Sequence, residues 1–161
     1  MKKVSFVIPC YRSANTIGVV VDEIRDTMPT LPEYDYEIIL VNDCSPDNTF
    51  DVISALARSD DRIIAVDLAK NFGQHAALMS GISHSTGDFV VCLDDDGQTP
   101  ANEVGKLLAR LEQDDCDVAM ASYEHKQHSA FRNFGTKLNN RMTEIMLGKP
   151  RDLSMTSYFA I

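Results

Sequence analysis

The sequence predicts an α/β protein built on a mainly parallel sheet covered by helices on both faces. Three observations carry that prediction. Short apolar runs alternate with segments of helical spacing along most of the chain, which is the rhythm of right-handed strand–helix–strand crossovers. Clusters of Pro, Asn, Asp, Ser and Gly punctuate the alternation, and these residues supply turns. A length of 161 residues at 44% hydrophobic composition is enough for one core, so residues 1–161 are expected to form a single domain.

Val4 to Ile8 reads as the first strand, stopped by Pro9. Asn15 is the expected N-cap of a helix carrying Ile17, Val20, Ile24 and Met28 on one face,. Glu37 to Val41 is a second strand, Asn42 to Asn48 a turn, and Val52, Ile53 and Leu56 mark the next helix. Ile63 to Leu68 is a third strand, followed by a loop at Lys70 to Gly73 and a helix rich in small residues from Gln74 to about Ser85. Phe89 to Leu93 is a fourth strand. Thr99 and Pro100 then offer an N-cap with proline at the first helical position, leading into Val104, Leu107, Leu108 and Leu111,. Val118 to Ala121 makes a fifth strand. Beyond Tyr123 a polar loop precedes a helix read from Phe131, Phe134, Leu138, Met142 and Ile145, and Tyr158 to Ile161 has the character of a further strand.

Composition excludes several classes of function. A formal charge of −9 argues against nucleic acid as a partner, because its binders cluster cations against phosphates. The charge is unevenly placed: residues 1–125 hold 9 basic and 22 acidic side chains, whereas residues 126–161 hold 6 basic and 2 acidic. That basic last fifth is either a solvated face or a place for phosphate or a membrane surface. Cys10, Cys44, Cys92 and Cys116 lack zinc-site spacing and disulfide density, and read as reduced structural thiols. No run approaches the length of a membrane span and no signal-like apolar region follows Met1, so the chain reads as soluble and intracellular. Dinucleotide-binding, Walker-type and hydrolase-elbow motifs are all missing from the sequence,.

Ligands on open parallel sheets bind beyond the carboxyl ends of the strands, where strand order reverses. The unusual residues fall there: Pro9-Cys10-Tyr11, Asn42-Asp43-Cys44-Ser45, Lys70-Asn71 and Asp94-Asp95-Asp96-Gly97-Gln98. Three successive carboxylates repel one another, and an oxygen-preferring divalent cation relieves that repulsion. If the backbone runs extended through the triplet, Asp94, Asp96 and Gln98 face one side and present oxygens to one ion. Mg²⁺ or Mn²⁺ suits such a donor set better than zinc, since no thiolate or imidazole belongs to it. The plainer reading is an acidic turn that caps the following helix.

Taken together, these segments resemble family 2 glycosyltransferases of GT-A fold, and among them the polyprenyl-phosphate sugar transferases. Val7-Ile8-Pro9-Cys10-Tyr11 with Asn15 is similar to that family's V-I-P-x-Y…N, and Val41 to Thr49 to its V-[ND]-D-x-S-x-D-x-T. Asn71 to Ala77 with Gly81 resembles N-x-G…A…G, and Leu93 to Pro100 resembles D-x-D-x-Q-x-P. Arg132 and the stretch from Asp152 to Phe159 are similar to later blocks.

The resemblance implies roles by position. Asp43 accepts the N3–H of a uracil-type base from a rim position with little packing, and Pro9 and Tyr11 line the base and ribose pocket. Asp94, Asp96 and Gln98 hold Mg²⁺ or Mn²⁺ on the donor diphosphate, with Asp95 and Lys70 as further donor-side residues. Catalysis is carried by Asp94, Asp96 and Arg132. Arg132 and Lys137 neutralise an acceptor phosphate, while Asp152 is the carboxylate to consider if the acceptor is a hydroxyl. The implied activity is inverting transfer from a nucleoside-diphosphate sugar, UDP favoured, to a lipid-linked phosphate. A saccharide acceptor, or binding of the nucleotide-sugar without turnover, is the alternative. The chain has Phe159 where the polyprenyl enzymes often carry Arg or Lys, and it stops within that block. The resemblance therefore implies a truncated catalytic domain, whose full-length form sits on the cytoplasmic face of a membrane.

Overall fold

The computed structural model of the chain describes residues 1–113, 116–121 and 157–161. Met1–Met120 and Ser157–Ile161 form one compact unit, and its elements alternate as the hydrophobic pattern requires. They run β1 (Lys2–Cys10), α1 (Ile17–Thr27), β2 (Tyr34–Asn42), α2 (Thr49–Ser59), β3 (Ile63–Asp67), α3 (Gln74–His84), β4 (Phe89–Cys92), α4 (Val104–Gln113), β5 (Ala119–Met120) and β6 (Phe159–Ala160). The helix expected from Phe131 to Ile145 and its polar approach loop lie outside the described residues.

The strands make one sheet in the order β3-β2-β1-β4-β6-β5. Five of them run in one direction, and β6 alone of the described strands enters antiparallel, between β4 and β5. The chain first steps from β1 outward through β2 to β3, then returns past β1 to lay down β4 on its other side. Right-handed crossovers in opposite directions put α1 and α2 on one face and α3 on the other. Strand alternation follows suit. Val7, Ile39, Val41, Val90 and Cys92 pack with Ala77 of α3, flanked by Ile64, Val66, Leu78 and Ile82.

α3 approaches the sheet closely because its contact face is made of small residues. A Cβ placed on Gly81 would lie 2.3 Å from Val7 Cγ1 and 3.1 Å from Val41 Cγ2, a distance that no repacking of a strand core tolerates cheaply. Two helix starts differ from the sequence expectation. α1 is capped by Thr16 instead of Asn15, because Ser13 O already accepts the N–H groups of Thr16 and Ile17 and draws the chain into a turn one residue later. Thr99 is buried, and Pro100 caps a short 3₁₀ turn, Ala101–Glu103, that delays α4 to Val104.

At the amino end of the sheet, away from the strand termini that carry the polar motifs, Glu37 is buried among hydrogen-bond donors. Ser5 Oγ donates to its Oε1 at 2.6 Å and the Thr86 N–H at 2.7 Å, while Lys3 Nζ reaches Oε2. Burial pushes this carboxyl up, but the bonds from Lys3, Ser5 and Thr86 outweigh it and hold it down at about 2. A carboxyl whose folded pKa lies below its unfolded value stabilises the fold fully above the unfolded value, and that contribution disappears as pH falls through the folded one. Melting temperature is therefore expected to drop between pH 5 and pH 2. Glu37→Gln should be less stable than the wild type at pH 7, with the gap narrowing toward pH 2.5 in a thermal-denaturation series.

Candidate functional site

The reversal of strand order at β1 leaves a crevice above the carboxyl ends of β1 and β4, and the register of the sheet decides what fills it. β4 ends at Cys92 opposite Val7, while β1 continues to Cys10. The chain leaving β4 therefore runs on beside the last residues of β1, with the Leu93 N–H donating to Val7 O at 3.1 Å. This brings Asp94 and Asp95 alongside Pro9, Cys10 and Tyr11. On the other side, β2 runs level with β1 and the Asp43 N–H donates to Cys10 O at 3.0 Å. The result is a cavity of about 400 Å³ lined by Pro9, Tyr11, Asp43, Gln74 and the carboxylates of Asp94, Asp95 and Asp96, with Cys10, Asn71 and Gly73 between them.

All four rim loops contain a residue in left-handed conformation: Arg12 at φ 60°, Cys44 at 50°, Gly73 at 87° and Gly97 at 71°. For Arg12 and Cys44 that conformation costs energy and persists only when neighbours hold it. The neighbours are evident. The Arg12 N–H donates to Ser45 Oγ at 2.8 Å and its guanidinium lies over the Tyr11 ring at 5.6 Å, while the Ser13 N–H donates to Thr49 Oγ1 at 2.9 Å. Asp47 gathers Ser45 Oγ and Thr49 Oγ1, each at 2.6 Å, and those bonds hold its carboxyl down at about 2.

Asp43 is 3% exposed and is thus no open rim residue, contrary to the sequence expectation. Its Oδ1 accepts the Phe72 N–H and its Oδ2 the Gly73 N–H, both at 2.8 Å. The carboxylate clamps the β3–α3 loop, and each oxygen keeps a second lone pair that a ligand can use. Asp95 is likewise engaged by protein: Oδ2 accepts the Tyr11 N–H at 3.1 Å and the Ser13 hydroxyl. Asp94 is held on both sides, Oδ1 by Gln74 Nε2 at 3.1 Å and Oδ2 by the Ser157 hydroxyl.

Gln98 does not join Asp94 and Asp96. The positive φ of Gly97 breaks the extended run that would have aligned the three, Asp96 Oδ1 accepts the Gln98 N–H at 2.9 Å, and Gln98 lines a separate cavity with Glu23 and Asp26 of α1. Lys70 is exposed and stands outside the lining, although its neighbour Asn71 belongs to it. Arg132, Lys137 and Asp152 lie outside the described residues.

A hard divalent ion fits the residues present. Among the described residues no three His, Cys, Asp or Glu side chains converge into a ready-made cage, but Mg²⁺ and Mn²⁺ are commonly held by one or two carboxylates and completed by substrate phosphates. Asp94 and Asp96 line the same cavity and offer only oxygen. The one thiol there, Cys10, is no soft ligand: burial, and then the charge of Asp95, pushes it well above the usual thiol range, so it stays protonated at neutral pH.

Residues 5–159 match the profile described as Glycosyl transferase family 2. The chain belongs to that family. Among curated relatives, the undecaprenyl-phosphate 4-deoxy-4-formamido-L-arabinose transferase of Yersinia enterocolitica is 36% identical over 150 residues, covering 92% of this chain and 45% of the relative. The enzyme of the same name from Klebsiella pneumoniae is 35% identical over the same length. The chain thus spans a little under half the length of these relatives. Among solved structures, a Pyrobaculum calidifontis mannosyltransferase in complex with GDP-Man and Mn2+ superposes with a TM-score of 0.70 at 19% identity, over 99% of this chain and 44% of that one. The glucosyl-3-phosphoglycerate synthase of M. tuberculosis reaches 0.73 at 19% identity, over 99% of this chain and 56% of that one. The doubly wound sheet of this family 2 chain is the GT-A fold.

Sequence reasoning did not single out Gln74 or Ser157. Gln74 was legible in principle, as a polar residue opening a helix at the carboxyl end of a strand. Ser157 was not, since its contact to Asp94 spans 63 residues and exists only once β6 is inserted beside β4. Because Asp43 holds the β3–α3 loop through the N–H groups of Phe72 and Gly73, Asp43→Ala should leave two backbone donors without their partner. Such losses cost about 1–3 kcal/mol, so the variant is expected to melt several degrees lower while keeping its far-ultraviolet circular dichroism. An unchanged melting temperature would show that the clamp carries no stability.

Proposed function

We propose that this chain is the donor-binding part of an inverting glycosyltransferase that moves a sugar from a nucleoside diphosphate, UDP favoured, to a polyprenyl phosphate. The observation that carries the reading is one cavity lined by a half-exposed aromatic ring, a buried carboxylate and three consecutive carboxylates. A nucleoside has a flat base to stack and an N–H to donate, which suits Tyr11, Pro9 and the spare lone pairs of Asp43. A diphosphate needs cations, which suits Asp94 and Asp96 as ligands of Mg²⁺ or Mn²⁺. Asp95, turned toward the β1 loop, keeps Tyr11 in place beneath the base.

Transfer would proceed by one displacement. An oxygen of the acceptor forms its bond to the anomeric carbon as the bond from that carbon to the diphosphate oxygen breaks, and the configuration inverts. Bound there, a divalent ion would stabilise the charge developing on the departing diphosphate. A phosphate monoester, with its second pKa of about 6, is largely ionised at neutral pH and needs no general base. The acceptor class is supported by the two relatives, whose names specify undecaprenyl phosphate, and by the basic stretch that includes Arg132 and Lys137. Among the described residues no helix is long and apolar enough to cross a membrane.

UDP is expected to raise the melting temperature slightly in EDTA and clearly more with Mn²⁺, since a diphosphate facing three carboxylates is repelled until a cation bridges them. Equal shifts under both conditions would remove the metal from the donor site. For the acceptor, Arg132→Ala in the full-length protein should depress transfer to a short polyprenyl phosphate about ten- to hundredfold, the worth of one charge-assisted bond, with little change in UDP affinity. Transfer to a soluble saccharide in place of the lipid phosphate would overturn the acceptor assignment and direct attention to Asp152 as a base.

A further inference from the structure

The cavity contains one polar side chain whose only described role is toward a carboxylate. Gln74 opens α3, and its Nε2 donates to Asp94 Oδ1 at 3.1 Å. The backbone that delivers it is fixed one step earlier: Asp43 takes the N–H groups of Phe72 and Gly73, and Gly73 caps the helix at φ 87°, a conformation that glycine adopts without strain. From Asp43 to Asp94 the connection is therefore short and continuous, passing through two hydrogen bonds, one left-handed glycine and one side-chain amide.

We propose that Gln74 is a positioning residue for Asp94, and that through the Asp43 clamp it couples the nucleoside end of the cavity to its diphosphate end. The inference rests on the donor-site reading above and adds to it a residue and a route. A neutral amide is the right group for the task. It fixes the rotation of the carboxylate and leaves the charge intact for a cation, whereas a Lys or Arg at this position would neutralise the charge and compete with the metal. The hydroxyl of Ser157 holds Oδ2 from the opposite side, so that with Gln74 in place both oxygens have defined directions. Filling the nucleoside end would steady the loop that Asp43 grips, and with it the carboxylate that meets the diphosphate.

Two measurements on this chain test the proposal. The first is calorimetric affinity for UDP with and without Mn²⁺. In Gln74→Ala the enhancement that Mn²⁺ brings should shrink roughly tenfold, the usual cost of removing a partner that orients a ligand side chain. Gln74→Glu should shrink it at least as much, because a second carboxylate would face Asp94, and Gln74→Asn should restore part of it. A purely structural role would lower melting temperature in all three variants and leave the enhancement within twofold of wild type, which overturns the proposal. The second is a double-mutant cycle of Gln74→Ala with Asp94→Ala, read by denaturant unfolding of the unliganded chain. Additive effects there overturn the contact itself, whatever the nucleotide does. Should the wild type bind UDP without help from Mn²⁺, the metal falls from the donor-site reading, and should it not bind UDP at all that reading falls whole, while the cycle still decides whether Gln74 holds Asp94.

Discussion

The structure depends on β1 lying between two parallel neighbours while the chain reverses direction across it. β1 is buried from Val4 to Cys10 and pairs in register with β2 on one side and β4 on the other. Because right-handed crossovers must then place α1 and α2 on one face and α3 on the opposite face, none of these helices covers the carboxyl edge where the two directions part. A crevice at that edge follows from the topology itself. The polar residues after β1, β2 and β4 fall into it because they lie within a few residues of their strands, and Asn71 and Gln74 reach it from the longer connection after β3.

The crevice is held together by carboxylates that serve protein before they serve a ligand. Asp43 clamps the β3–α3 loop, Asp95 pins the β1 loop, Asp47 organises the turn after β2, and Asp94 is gripped by Gln74 and Ser157. A charged acceptor of backbone N–H groups makes stronger bonds than a neutral one, which explains how a rim with Arg12 and Cys44 in left-handed conformation is kept ordered. Under the proposed function, pre-set geometry of this kind would let a ligand meet dipoles and charges already aligned, at no cost in reorganisation.

The same logic separates acidic residues with different tasks. Glu37, buried at the amino edge, is satisfied by Lys3, Ser5 and Thr86 and contributes to folding alone. The triplet at the carboxyl edge has fewer donors and more solvent, and there the repulsion among neighbouring charges is retained, which under the proposed function a diphosphate and its cation would relieve.

The hydrophobic alternation by itself determined the order and type of the elements from β1 to β5. It also determined the rim on which Pro9, Tyr11, Asp43 and the triplet Asp94 to Asp96 meet, because periodicity and turn chemistry are local properties that neighbouring residues impose on one another. The family too was legible, since its motifs sit contiguously at strand ends. Tertiary structure alone decided which of those residues share a cavity and what each is bonded to. It moved Gln98 to another cavity through the left-handed turn at Gly97, left Lys70 outside the lining, buried Asp43 under a loop and recruited Gln74 and Ser157. Such contacts join segments tens of residues apart through the sheet register, and a linear pattern carries no information about register until the strands have paired.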